Sequence, residues 1–203
     1  GRERIWLALH HREADRVSIC DGLWPSLVDR WRAEGSQVLQ EGTSPDEAFG
    51  YDMLHIRPDI SLRLPSRVLE ETDTYTVIRN SNGTTIKQWK DRTFPGGAVD
   101  HMIKSRADWE AHRWRAAWAS DRVDWESARQ IYDKGCVRGQ FIVYSGAICW
   151  DAALQIVGPE TLLYAMADDI EWVHDMFETL TDLCLAGAEE MMSRGLAFDG
   201  AFL

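Results

Sequence analysis

The chain has 203 residues, 45% of them apolar and 27% charged, which is ordinary for a globular protein and enough for a sizeable core. Its formal charge of −11 argues against nucleic acid or an anionic membrane as the main partner, because both recruit clustered Lys and Arg. No run approaches the ~18 apolar residues of a membrane span, and no signal-like stretch follows Gly1-Arg2-Glu3-Arg4. Cys20, Cys136, Cys149 and Cys184 are widely scattered, a pattern of reduced thiols in a cytoplasmic protein and not of a disulfide frame or zinc cluster. Taken singly, each reads as a small buried hydrophobe. The ten tryptophans read first as core filling, with an aromatic pocket wall as the other use.

A short helix fits residues 2–10. Val17-Ser18-Ile19-Cys20 then reads as a first strand, stopped at Asp21-Gly22. Pro25 to Glu34 is a helix, with Pro suited to its first turn and Leu27, Val28 and Trp31 on one face before Gly35. Pro45 to Phe49 makes a further helical turn. Met53-Leu54-His55-Ile56 is a second strand, halted by Pro58. Thr74 to Ile78 and Thr84 to Trp89 flank Asn80-Ser81-Asn82-Gly83, a hairpin signal best read as an insertion near residues 74–90. Ser105-x-x-Asp108 opens a helix to about Trp118 as an acidic capping box. Trp125 to Asp133 is another helix, ending at Gly135.

Gln140 to Tyr144 is a third core strand, broken by Ser145-Gly146. A long helical region starts at Gly158-Pro159. Within it Met166, Ile170, Val173, Phe177, Leu180, Cys184, Ala188 and Met191 follow one buried face, and Asp168 or Asp169 caps a second helix. Arg194-Gly195 closes it, and residues 198–203 begin a fourth strand. Alternating strands and helices imply parallel strands with crossover helices. Four such units fill half of an eight-stranded barrel, and an apolar terminal strand leaves its face open. The fold expected is the N-terminal half of a (β/α)₈ barrel in one partial domain, a fragment; the rival is a complete open four-stranded α/β sheet. An isolated half barrel exposes a large apolar face, so a homodimer is an expected partner state.

Arg2-Glu3-Arg4-Ile5, Leu9-His10-His11-Arg12-Glu13 and Asp15-Arg16-Val17 resemble the opening of the uroporphyrinogen decarboxylase superfamily. Phe49-Gly50-Tyr51-Asp52, Ser105 to Trp109 and the Gly146 loop before Pro159 agree with it in order and spacing. The resemblance implies one of three roles. The first is methyl transfer between a corrinoid carried by a partner protein and a thiol, with zinc held by His and Cys ligands beyond residue 203. The second is cofactor-free decarboxylation of a porphyrinogen or other carboxylate. The third is a non-catalytic binding protein built on the barrel. Decarboxylases of this family grip substrate carboxylates with arginines after the first strand. Here that segment runs Asp21-Gly22-Leu23-Trp24-Pro25-Ser26-Leu27, without Arg before Arg30, which favours methyl transfer.

Barrel enzymes place chemistry at the C-terminal strand ends. That rule selects Asp21 and Trp24 after the first strand, His55, Arg57 and Asp59 around the second, and Tyr144, Ser145 and Trp150 after the third. Each has a plainer use. Asp21 can shape a turn, Trp24 can brace its helix, Arg57 to Asp59 can be solvated loop, and His55 can be a satisfied core residue. Asp59 is the candidate charge stabiliser for decarboxylation, and Arg57 the anion anchor. No metal ligand is expected within residues 1–203, and the substrate is a small molecule.

Overall fold

The computed structural model describes residues 1–90 and 96–203. It is a mixed α/β structure with a parallel three-stranded sheet and an antiparallel four-stranded sheet, and the described residues form no closed barrel. The chain divides into two compact units. The first comprises Gly1–Arg57, Asp124–Ser145 and Met191–Phe202; the second comprises Pro58–Val123 and Gly146–Glu190, with Leu203.

In the first unit the chain runs through α1 (Arg2–Leu9), α2 (Pro25–Ala33), α3 (Pro45–Phe49) and β1 (Met53–Ile56). In the second it continues through β2 (Arg67–Glu71), β3 (Tyr75–Arg79), β4 (Thr84–Trp89), β5 (Gly97–His101) and α4 (Arg106–His112). It returns to the first unit for α5 (Trp125–Val137) and β6 (Phe141–Ser145). The helices α6 (Cys149–Asp168) and α7 (Ile170–Ser193) follow, and β7 (Gly200–Phe202) closes the order in the first unit.

The first unit's sheet is ordered β1-β6-β7, all parallel, with Met53 opposite Phe141 and Val143 opposite Gly200. Central β6 is buried along its whole length, as a continuous apolar run in a parallel sheet should be. Ile5 of α1 packs with Phe141, Val143 and Met53. On α5, a Cβ at Gly135 would lie 2.5 Å from Leu54 Cδ2 and 2.7 Å from Ile142 Cδ1. Gly135 therefore lets the helix approach the sheet and does not end it. The helix runs on to Val137, and Gly139, at φ 64°, turns the chain.

The expected first strand is absent. Val17 to Cys20 carries no ladder, because the Ile19 N–H donates 2.8 Å to the Asp52 carboxylate and not to a strand carbonyl. A backbone bond, Asp52 N–H to Ile19 O at 2.8 Å, ties it to the chain before β1. The other three expected strands are β1, β6 and β7, while α2 and α3 lie where their proline signals put them.

The second unit confirms the hairpin and extends it to a meander, β2-β3-β4-β5. Asn80 Oδ1 accepts the N–H groups of Asn82 (2.9 Å) and Thr84 (3.0 Å), and Gly83 takes φ 80°. Ser105 caps α4 through the Asp108 N–H at 3.2 Å, while Asp108 Oδ2 accepts the Ser105 hydroxyl and the Lys104 N–H. That helix stops at His112 and yields to 3₁₀ turns over Arg113–Ala116 and Ser120–Arg122.

Helix α6 begins nine residues before the expected start, at Cys149, and breaks at Gly158 (φ 77°) before Pro159. A Cβ at Gly158 would sit 2.5 Å from the His101 ring, so both backbone and space require glycine. Asp169 caps α7 through the Trp172 N–H at 3.1 Å. The buried face of α7 includes Val173, Leu180 and Cys184 as expected, but Trp172, Met176 and Leu183 join it, while Met166 and Ile170 are exposed. A periodicity drawn through both helices loses phase where Asp169 separates them.

Leu62, Ile103, Trp109, Ile156, Leu162, Met176 and Leu183 fill the second unit's core. Trp109 is fully buried, and its Nε1 donates to Asp175 at 2.6 Å; Trp118 donates to Glu190 at 2.6 Å. Buried Arg122 feeds the carbonyls of Asp59, Ser61, Ala117 and Arg115, which satisfies its donors without a carboxylate. No described helix is long and apolar enough to cross a membrane.

Candidate functional site

The parallel strands of the first unit end together, with Ile56 opposite Tyr144 and Ser145 opposite Phe202. Their C-terminal ends carry His55, Tyr144 and Ser145. His55 is half-buried, and its Nδ1 shares a 2.6 Å hydrogen bond with Ser145 Oγ, which is itself buried. The ring meets Phe202 edge-on at 5.9 Å. On its other side, Nε2 lies 3.6 Å from Cys20 Sγ.

Cys20 reaches this position because a buried carboxylate anchors the segment before it. Asp52, directly ahead of β1, is only 2% exposed. It accepts the Ile19 N–H, pairs with Arg16 Nη1 at 2.8 Å and also pairs with Arg4. Arg4 grips Asp15 through two 2.6 Å bonds. Burial alone would raise the Asp52 pKa, but the Ile19 N–H, Arg16 and Arg4 together outweigh it and hold the carboxyl below its ordinary value. Arg4, Asp15, Arg16 and Asp52 come from three separate segments, and here they form one charge cluster.

Burial, and then the Arg57 guanidinium, lower the His55 pKa, so the imidazole is neutral at neutral pH. Burial, Asp21 and Asp52 push the Cys20 thiol up, so it rests protonated. The Tyr51 phenol is likewise pushed up by burial, Asp21 and Cys20. A neutral imidazole held at one nitrogen, with a thiol at the other, is suited to general-base removal of the thiol proton.

The sequence candidates divide between the two units. Asp21, Trp24, His55, Arg57, Tyr144 and Ser145 belong to the first; Asp59 and Trp150 belong to the second. Of the first group, the geometry joins His55 to Ser145. Tyr144 is buried and packs on Phe198 at 5.4 Å, inside the fold. Asp21 Oδ1 accepts the Gly22 N–H at 2.7 Å, the turn use, while its charge also reaches Cys20. Trp24 is 54% exposed just ahead of α2, and Arg57 is exposed beyond β1.

In the second unit, Asp59 is tied down by Ser61 N–H at 2.9 Å on Oδ1 and by Arg63 at 3.0 Å on Oδ2. It borders a pocket of ≈ 340 Å³ with Asn80, Ser81, Asn82 and Gln155. Trp150 is exposed at the start of α6. Among the described residues no group of three His, Cys, Asp or Glu is placed to hold a metal ion.

Sequence reasoning missed Cys20 and Asp52. Cys20 is exposed and so is Cys136, against the buried reading that Cys184 satisfies. The only local signal for Cys20 was its place beside Asp21-Gly22 at the end of a β-rich run. No family model matches the chain, and neither a curated protein nor a solved structure matches it.

Proposed function

We propose that this chain belongs to a uroporphyrinogen decarboxylase-like barrel enzyme that passes a methyl group between a corrinoid, carried by a partner protein, and a thiol. What supports the reading is the His55–Ser145 pair at the C-terminal ends of β1 and β6, where such barrels keep their chemistry. A thiol acceptor must lose its proton as the sulfur–carbon bond forms. His55, neutral and oriented by Ser145, can take it. The union of Arg4, Asp15, Arg16 and Asp52 supports the resemblance further.

Decarboxylation has less to stand on. Both Asp59 oxygens already bind donors, and no arginine lies between Cys20 and Arg30 to grip a polycarboxylate. Zinc enters this reading only as what the resemblance implies, since no group of three His, Cys, Asp or Glu among the described residues is placed to hold a metal ion.

The complete protein, mixed with a methyl-corrinoid and a small thiol, should consume the methyl-corrinoid absorbance and yield the S-methyl thiol by mass spectrometry. His55→Gln should slow this by about 10²-fold, the usual scale of a lost general base. Turnover of a porphyrinogen without any corrinoid would overturn the reading.

A further inference from the structure

We infer that Cys20, His55 and Ser145 form an acyl-transfer site, in which the Cys20 sulfur takes the acyl group of an ester or thioester. The inference does not rest on methyl transfer, and either can fail without the other. It stands on three side chains from three separate stretches of chain that meet at one imidazole ring. Cys20 Sγ lies 3.6 Å from His55 Nε2, and His55 Nδ1 lies 2.6 Å from Ser145 Oγ. This is the nucleophile, base and orienting group that covalent catalysis requires. Cys20 is exposed and therefore open to substrate, whereas Ser145 is buried and therefore fixed.

With its proton on Nδ1, the imidazole donates to Ser145 Oγ and turns the Nε2 lone pair toward the Cys20 S–H. As Sγ bonds to the carbonyl carbon, the thiol proton passes to Nε2. When the tetrahedral species collapses, the bond to the leaving oxygen or sulfur breaks. That atom departs with its electron pair and collects the proton from Nε2. Cys20 is left as the thioester and His55 returns to neutral, with no oxidant or metal involved.

Acyl transfer uses a proton carrier twice, once as the sulfur attacks and once as the leaving group departs, and an imidazole held between a thiol and an orienting hydroxyl supplies that. Burial, Asp21 and Asp52 hold the Cys20 pKa up, so the thiol needs His55 to take its proton as the sulfur attacks. Arg57 is the charge that acts on His55, and it helps keep the ring unprotonated.

The test uses the same complete protein with p-nitrophenyl acetate as the acyl donor. The expected result is a burst of close to one nitrophenolate per chain, with the acetyl group on the Cys20 peptide. Cys20→Ala should abolish the burst, and Cys136→Ser should leave it intact. His55→Gln should slow it at neutral pH by at least about tenfold.

The pH profile separates a base from a merely structural histidine. The wild-type rate should rise with deprotonation of His55, below the ordinary histidine value, then level off, and climb again only as the thiol itself ionises. His55→Gln should keep only the upper limb. Acetyl found on another residue, a profile with the upper limb alone in the wild type, or an unchanged rate in His55→Gln would each overturn the inference.

Discussion

The two units solve the same problem with different materials. The second buries Leu62, Ile103, Trp109, Leu162, Met176 and Leu183 around one apolar core, and it threads buried Arg122 through backbone carbonyls. The first has a parallel sheet whose flanking segment is fixed by a buried carboxylate and two arginines. Apolar packing is indifferent to pH and to the order of the chain. The Asp52 cluster is neither, and it aligns Cys20 with His55 where packing alone would leave a loop. The polar device sits in the unit that carries the strand-end array.

Four substitutions or titrations would break this contrast, from the largest effect to the smallest. Trp109→Ala should cost about 3–5 kcal/mol, since it removes the largest fully buried side chain and leaves Asp175 without its indole donor. Amide exchange should then accelerate in the second unit first. Asp52→Ala should cost about 3 kcal/mol, because two arginines lose their shared partner. Its exchange signature should appear in residues 15–20 and β1, and the acylation of Cys20 should fall with it. Gly135→Ala should cost about 1–3 kcal/mol by overpacking against Leu54 and Ile142, read as a shift in the urea midpoint.

The smallest effect is the pH dependence. Burial lowers the pKa of His55 in the first unit and of His101 in the second, so the folded chain binds fewer protons there than the unfolded one. Their contribution is complete above the ordinary histidine value and is lost as pH falls through the lowered folded values. Asp52 and Asp59 are also lowered, so their contribution is present above the ordinary carboxylate range and is lost only at more acid pH. Acid unfolding should therefore proceed in two stages. His55→Gln should flatten the upper stage in the first unit and leave the second unit's share in place.

Local signals were legible wherever the chain's own chemistry decides the conformation. Asn80 and Gly83 announced the hairpin, Pro25 and Pro45 the helix starts, and Ser105 with Asp108 a cap, because each acts within four residues. The strands β1 and β6 were readable from β-branched and apolar runs. Strand β2 was not, since Arg67–Glu71 is exposed throughout and shows no alternation. The missing first strand and the site depend on bonds across long stretches. Asp52 reaches Ile19 33 residues away and Arg4 48 away, while His55 meets Ser145 90 residues on. Among the expected site residues, His55 and Ser145 came together, whereas Tyr144 went into the interior and Asp59 into a loop ion pair.

Both chemical readings need the same imidazole, neutral and protonated on Nδ1. The most direct measurement is therefore the titration and tautomer of His55 by nitrogen-edited NMR of the labelled chain. A midpoint below 6.5, with the proton on Nδ1 and a shift on Ser145→Ala, is the predicted result. A midpoint at or above 6.5, or a proton on Nε2, would contradict the assignment of His55 as the base of this site.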